Sequence, residues 1–281
     1  MDQVSDKARK IRDRIRGNFD RGAHAYERFE AETAFFQGLL RQLLALLPPG
    51  ALRGARVLDV GCGTGASLAE LCRAVGPAGQ AVGIDISAGM LRQARARLGE
   101  GVPLAVMDGC GFGRGLQGAF DAVVYNAVLF MLPDPAGSLA SARAILRPGG
   151  AVLLSFLEGV RLPDRGCTVN EWMAERGLPV GRHAVADWPQ VEGRLREGFE
   201  QVAVRRVQIP LTPERFAGFY GMEPMSAGLL PRLPYAERKE AVEATAAQCR
   251  AEGVRIEQAW LLAVARNGSP APTQDTGRGA T

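Results

Sequence analysis

Asp59, Asp85 and Asp108, together with the alternate glycines of RVLDVGCGTGASLAEL (Arg56 to Leu71), are the residues whose types and spacing can do chemistry. Gly61, Gly63 and Ala66 fill the looser form of a dinucleotide fingerprint, G-x-G-x-x-A, directly after an apolar run. In that arrangement a pyrophosphate sits on a helix N-terminus, where backbone N–H groups and the helix dipole favour an anion. Asp59, two residues before the first glycine, conflicts with such an occupant. Two like charges a few ångströms apart in a partly dry site would cost roughly a kcal/mol or more. A carboxylate there suits a bound group that carries an ammonium.

The methionine end of S-adenosylmethionine is such a group, and the other acids fit it. Asp85 ends an apolar segment in GID, where a carboxylate can accept hydrogen bonds from both ribose hydroxyls. That role serves either cofactor, so Asp85 does not discriminate. Asp108 ends the next such segment in VMDG and can accept from an adenine exocyclic amine, which is less expected of a dinucleotide enzyme. Ile86 and Met90 flank Asp85 as candidates to sandwich the adenine. Three acids at successive strand ends fall in the crevice where open α/β sheets bind ligands.

The elements that must hold these residues alternate regularly. Val57–Val60, QAVGID, PLAVMD, FDAVVYN and AVLLSFLE read as strands, with helices at Ala66–Val75, after Ser87 as N-cap, and around Leu139–Leu146. Continuous apolar runs joined by helices predict an α/β fold, a Rossmann-like doubly wound sheet covered on both faces. Residues 1–50 predict an N-terminal helical cap of about two helices, with Ile11, Ile15 and Phe19 on one face and a stop at Pro48-Pro49-Gly50. The core spans 51–267. A helical stretch runs from about Asn170 to Arg196, EQVAVRRVQIP is a sixth strand and IEQAWLLAVARN a seventh. Between the last two lies a helical insertion, about 211–256, with Thr212-Pro213 opening a helix, a Pro/Gly-rich turn region and a longer helix from about Ala236 to Arg250. Its length and apolar content mark it as a lid or substrate wall. The Pro/Gly/Ser/Thr-rich segment 268–281 is expected to be disordered.

Bulk properties narrow the setting. Apolar residues are 47% and charged residues 23% of the 281, as in ordinary soluble domains, and a net charge of +4 permits anionic partners without indicating them. Five scattered cysteines without close pairs argue against a zinc site and for reduced thiols. The charged opening MDQVSDKARK has no apolar signal region, and the most apolar stretch is interrupted by Asp121 and Asn126. The expectation is a cytoplasmic enzyme, monomer or homodimer, without stable membrane insertion and without a metal.

Taken together, VLDVGCGTG, VGIDIS with a following ML, VMDG, FDAVVYNAVLFMLPDP and ILRPGGAVLL resemble the class I S-adenosylmethionine-dependent methyltransferases. The resemblance is to the small-molecule branch that includes the ubiquinone/menaquinone C-methyltransferase-like (methyltransferase type 11) enzymes, closely over about 51–160 and more loosely beyond. It implies a seven-stranded sheet, mostly parallel, with the last strand antiparallel, and methyl transfer from S-adenosylmethionine to a small molecule with S-adenosylhomocysteine as product. By resemblance, Asp59, Gly61, Cys62, Gly63 and Gly65 form the methionine-end site, Asp85, Ile86 and Met90 the ribose and adenine site, and Asp108 with Gly109 contacts adenine. Asn126 would lie under the sulfonium. FDRGAHAYERF resembles the cap that precedes such cores, and Tyr26 would close over the cofactor.

In-line displacement at an activated carbon needs alignment and exclusion of water, and a base only if the acceptor must lose a proton. Tyr26, Tyr125, Glu158, His183 and His24 are the candidates. Phe216, Phe219, Tyr220, Met222 and Met225, with Trp172 and Trp188, could line an apolar substrate pocket or simply pack the lid. Three other readings compete: an NAD(P)-dependent oxidoreductase, a nucleic-acid methyltransferase suggested by the basic KARKIRDRIR, and a membrane-surface enzyme acting on a lipid-like quinone. Asp59, Asp108 and the inserted seventh strand argue against the first. YNAVLF replaces the tetrapeptide of many amino-methylating nucleic-acid enzymes, against the second. Arsenite methylation would need Cys167 and Cys249 to converge.

Overall fold

The computed structural model describes residues 2–114, 116, 119–181 and 187–268. Helix α1 (Asp2–Thr33) and α2 (Phe35–Leu44) precede β1 (Arg56–Val60), α3 (Ala66–Val75), β2 (Gln80–Asp85), α4 (Ala88–Leu98), β3 (Leu104–Val106), β4 (Phe120–Asn126), α5 (Pro135–Ile145) and β5 (Leu146–Leu162). The remainder is β6 (Cys167–Thr168), α6 (Val169–Ala174), α7 (Trp188–Gly198), β7 (Gln201–Leu211), α8 (Pro213–Tyr220), α9 (Glu223–Leu229), α10 (Tyr235–Ala251) and β8 (Ile256–Arg266). The sheet order is β3-β2-β1-β4-β5-β8-β7, with β6 a two-residue pair on the end of β5. β1 to β5 run parallel, and β8 runs antiparallel between β5 and β7. The expected seven strands are all present, and β6 is an addition too short to carry a sequence pattern.

The central strands are sealed because their side chains are apolar on both faces: Val57, Leu58, Val123, Val124, Val152 and Leu153 have no exposed surface. Each such side chain contributes about 1.5–3 kcal/mol relative to exposure. Parallel register brings Asp59 opposite Gly83 and Val124, and Asp85 opposite Val106, so the acids gather at one edge of the sheet.

Apolar spacing suggests one helix over residues 1–22 and a second over about Tyr26–Leu47, but the break falls at Ala34. α1 runs on past Tyr26 to Thr33, and Ala34 turns the chain in the left-handed region at φ 48°. The buried carboxylate of Glu30 makes this possible. It accepts from the N–H groups of Phe36 and Gln37 (2.9 and 3.1 Å), satisfying donors that the start of α2 leaves without intrahelical partners. Phe36, Leu39, Leu40 and Leu43 then form the buried stripe of α2.

Two further differences lie in the second half. The helical stretch expected from Asn170 to Arg196 is two helices: α6 ends at Ala174 and α7 starts at Trp188 with Asp187 as N-cap. The Pro/Gly-rich middle of the insertion contains α9, where Pro224 occupies the first turn, a position that tolerates its missing N–H. Ser87 and Thr212 both cap as predicted, accepting from Met90 and Arg215 N–H. Of the tail expected to be disordered, Gly268 alone is described, and the rest lies outside the described residues. Among the described residues no helix is long and apolar enough to cross a membrane.

Candidate active site

A cleft opens at the carboxyl edge of the sheet and is roofed by α1. Arg12, Ile15, Phe19 and Tyr26 line the roof. Their spacing of three, four and seven puts them on one helical face. α1 crosses the strand ends in spatial order. Arg12 meets Asp108 after β3, Asp20 meets the start of α4 after β2, and Tyr26 faces Gly63 after β1. The span from Arg12 to Tyr26 is about 21 Å of helix.

The floor carries the predicted acids in three different states. Asp85 lines the cleft, and its two oxygens accept from Gly63 N–H (2.9 Å) and Ser87 N–H (2.8 Å). Burial pushes its carboxyl up to about 6, against the lowering effect of those N–H donors. Asp108 also lines the cleft, accepting from Arg12 Nη1 at 2.7 Å and Cys110 N–H at 2.9 Å. The pairing raises the Arg12 guanidinium above its ordinary range.

Asp59 is 1% exposed, and neither carboxylate oxygen has a hydrogen-bond partner among the described residues. Burial holds its carboxyl well above the usual range, and the charge of Asp85 adds to the effect. A buried carboxylate without a partner costs free energy that a bound cation would return. The next two residues, Val60 and Gly61, line the cleft, and Asp59 itself does not.

The glycine turn is built by close approach. Gly61 has φ 70°, and a Cβ there would lie 2.5 Å from Val128 Cγ2. Gly65, by contrast, does not line the cleft. A Cβ there would collide with Ala94 and Leu98 of α4, so this glycine serves helix packing. Cys62 is buried away from the cleft, its thiol pushed up by burial and by Asp59. Four of the turn's amides are already engaged. Gly61 and Cys62 N–H both donate to Ile84 O (2.8 and 3.0 Å), Gly63 N–H to Asp85 and Gly65 N–H to Cys62 O. Those donors are not aimed at a pyrophosphate.

Ile86, Met90 and Gly109 line the cleft, as does Asn126. The amide of Asn126 is wholly committed: Nδ2 donates to Phe36 O (2.9 Å) and Ser67 Oγ (2.7 Å), and Oδ1 accepts from Ser155 Oγ (2.8 Å). Ser155 Oγ in turn accepts from the N–H of Ala127, which holds φ 62°. Asn126 therefore joins α2, α3 and β5 at the point where the cleft meets a second cavity.

That second cavity shares Tyr26, Ala127 and Met131 with the cleft. Phe36, Phe130, Phe219, Tyr220, Met225 and Trp260 supply most of its remaining wall. Tyr26 stacks on Phe36 (centroids 5.0 Å apart, planes 13°) and forms the partition. Its phenol is raised well above the usual range by burial first, then by Glu30, Asp85 and Asp59. Behind the wall Gln258 donates to Tyr220 OH (2.8 Å) and accepts from Trp260 Nε1 (3.2 Å). Phe219 and Tyr220 of the predicted pocket reach this cavity. Phe216 and Met222 do not, being buried in the packing of α8 and before α9.

The candidate bases do not converge. Tyr125 is buried with its hydroxyl on Ser138 and lines neither cavity. Glu158 pairs with Arg206 and Arg161, and His24 is exposed beside Gln93. His183 lies outside the described residues. Trp172 stacks under Arg176 and Trp188 packs on Phe156, both away from the cavities. Among the described residues no three His, Cys, Asp or Glu side chains could together hold a metal. Arg12, Val128, Met131 and Trp260 were not singled out from the sequence. Arg12 shares the helical stripe of Ile15 and Phe19, which was its available signal.

Residues 57–150 match the family model described as a methyltransferase domain. Aklanonic acid methyltransferase DauC of Streptomyces sp. (strain C5) is 37% identical over 138 residues, 48% of this chain and 60% of that protein. Nocamycin O-methyltransferase of Saccharothrix syringae is 31% identical over 221 residues, 74% of this chain and 66% of that protein. The chain thus spans less than two thirds of these curated relatives. Among solved structures, phosphoethanolamine N-methyltransferase 2 of Haemonchus contortus, in complex with S-adenosyl-L-methionine, superimposes with a TM-score of 0.55 at 18% identity. That alignment covers 89% of this chain and 57% of that one, and it speaks to the fold alone. The fold and the matched region agree: residues 57–150 form a methyltransferase domain, and over the aligned part the chain is similar to methyltransferases of small molecules.

Proposed function

We propose that this protein transfers a methyl group from S-adenosylmethionine to a small, largely apolar acceptor. The observation that carries the reading is the unpartnered, buried carboxylate of Asp59, next to a glycine turn of which four amides are already engaged. It suits a cationic amino-acid end and disfavours a pyrophosphate, against the oxidoreductase alternative.

In this reading Asp59, Gly61 and Gly63 take the methionine end, Asp85 the ribose hydroxyls, and Asp108 the adenine amine between Ile86 and Met90. When bound, the cofactor supplies a methyl group on a sulfonium, already activated for displacement. The chain's own contribution is to align the acceptor and exclude water. Tyr26, Ala127 and Met131, common to both cavities, mark the border between donor and acceptor. The aromatic wall of Phe36, Phe219, Tyr220 and Trp260 fits a planar apolar acceptor. Relatives named for aklanonic acid and nocamycin support a natural product as acceptor. Five free cysteines are consistent with work in a reducing, cytoplasmic setting, as monomer or homodimer.

Calorimetric titration with S-adenosylhomocysteine, with NADH as control, tests the donor. Binding of the first alone supports the reading and justifies an acceptor screen of phenols, quinones and amines. Binding of NADH alone overturns it.

A further inference from the structure

Asp20 lies on α1, and its Oδ1 accepts two hydrogen bonds from the start of α4, from Ser87 Oγ (2.7 Å) and Gly89 N–H (2.8 Å). Ser87 is already that helix's own N-cap, accepting from Met90 N–H at 3.0 Å. Donating its hydroxyl hydrogen to Asp20 leaves a lone pair turned to Met90, so the two roles reinforce each other. The backbone N–H of the same Ser87 donates to Asp85 Oδ1 at 2.8 Å. One residue of the cap is thereby linked through Ser87 to Asp85 and Met90, both on the cleft wall.

A second observation concerns Gly89. A Cβ there would lie 2.9 Å from Asp20 O and 3.0 Å from Asp20 Cα. Glycine lets α1 sit against α4 at the point where Asp20 reaches the helix start. The contact is built from both sides.

We propose that Asp20 is a positioning residue for the nucleoside: by holding Ser87 it sets Asp85 against the ribose and Met90 against the base. The inference rests on reading the cleft as the S-adenosylmethionine site. A helix N-terminus served by a single serine would be stable without help from a residue 67 positions away. The added acceptor fixes the turn that carries Asp85's own donor, which is what a carboxylate aimed at two hydroxyls requires.

The test is titration with S-adenosylhomocysteine and with its 2′-deoxy analogue, which lacks one ribose hydroxyl. Asp20→Ala should weaken the first by about tenfold, the scale of one hydrogen bond to a charged group, and the second by clearly less. Ser87→Ala, which leaves the Gly89 contact in place, should show the same ribose-dependent loss and guards against an Asp20 variant that fails to fold. Unchanged affinity in both variants overturns the proposal. So does an equal loss for both ligands, which would make Asp20 a clamp for α1 only. Failure of the unsubstituted protein to bind S-adenosylhomocysteine would instead remove the reading of the cleft itself.

Discussion

Arg12 Nη1 lies 2.7 Å from Asp108 Oδ2, joining the opening helix to the end of β3 across 96 residues. Both side chains are about one-third exposed, so the pair is partly screened and contributes at most about 1 kcal/mol to folding. Its consequence is for access, because α1 is the roof of the cleft. Arg12→Ala is expected to speed dissociation of S-adenosylhomocysteine several-fold while unfolding stability changes by less than about 1 kcal/mol. Stopped-flow dissociation reads the first and urea titration the second. An unchanged dissociation rate would show that the roof does not hold the ligand.

Asp85 sets a pH dependence. Burial raises its carboxyl from the ordinary range to about 6 in the folded protein. The folded state therefore holds this proton more tightly than the unfolded chain does. Its contribution to stability is full below the ordinary carboxylate range and is lost as pH rises through about 6. Asp85→Asn keeps one acceptor oxygen for the two N–H donors, so it carries a pH-independent loss, but its stability relative to the unsubstituted protein should improve as pH rises from 4 to 7. Affinity for S-adenosylhomocysteine should fall below pH 6 in the unsubstituted protein and lack that limb in the variant. Asp59 is also raised, by burial and then by the charge of Asp85, so a limb that survives in Asp85→Asn would be assigned to it.

Gly61 and Val128 are in steric competition. Gly61→Ala places a methyl group 2.5 Å from Val128 Cγ2 at a φ of 70°. The left-handed backbone costs about 1–2 kcal/mol and the overlap about 1–3 kcal/mol. Adding Val128→Ala removes the 2.5 Å contact but keeps Val128 Cβ at 3.0 Å, so it should restore most of the packing part and leave the backbone part. Thermal unfolding of the four-member cycle measures the coupling, and strict additivity would mean the overlap is relieved by movement elsewhere.

Asn126 joins three elements through one amide. Asn126→Ala would strand Phe36 O, Ser67 Oγ and Ser155 Oγ without this partner in a buried place. A loss of at least about 2 kcal/mol in urea unfolding is expected. A loss below that would show the network rearranges to satisfy itself.

The strands, the glycine turn, the acids at the ends of β2 and β3, and the capping roles of Ser87 and Thr212 all follow from short-range rules of backbone sterics, capping and apolar periodicity. Such rules act within a few residues and are visible in any one segment. Tertiary structure decided which of these residues face the same space. The apolar stripe of α1 is legible, but not that it crosses β3, β2 and β1 in order, because the partners of Arg12 and Asp20 lie 96 and 67 residues away in the chain. Gly65 matches the pattern of a cofactor glycine yet packs on α4, because one missing Cβ serves a tight turn and a close helix crossing equally well. Phe216 and Phe219 are indistinguishable as sequence. One fills the core and the other the cavity wall, since helix rotation, fixed by long-range packing, decides which side of α8 meets empty space.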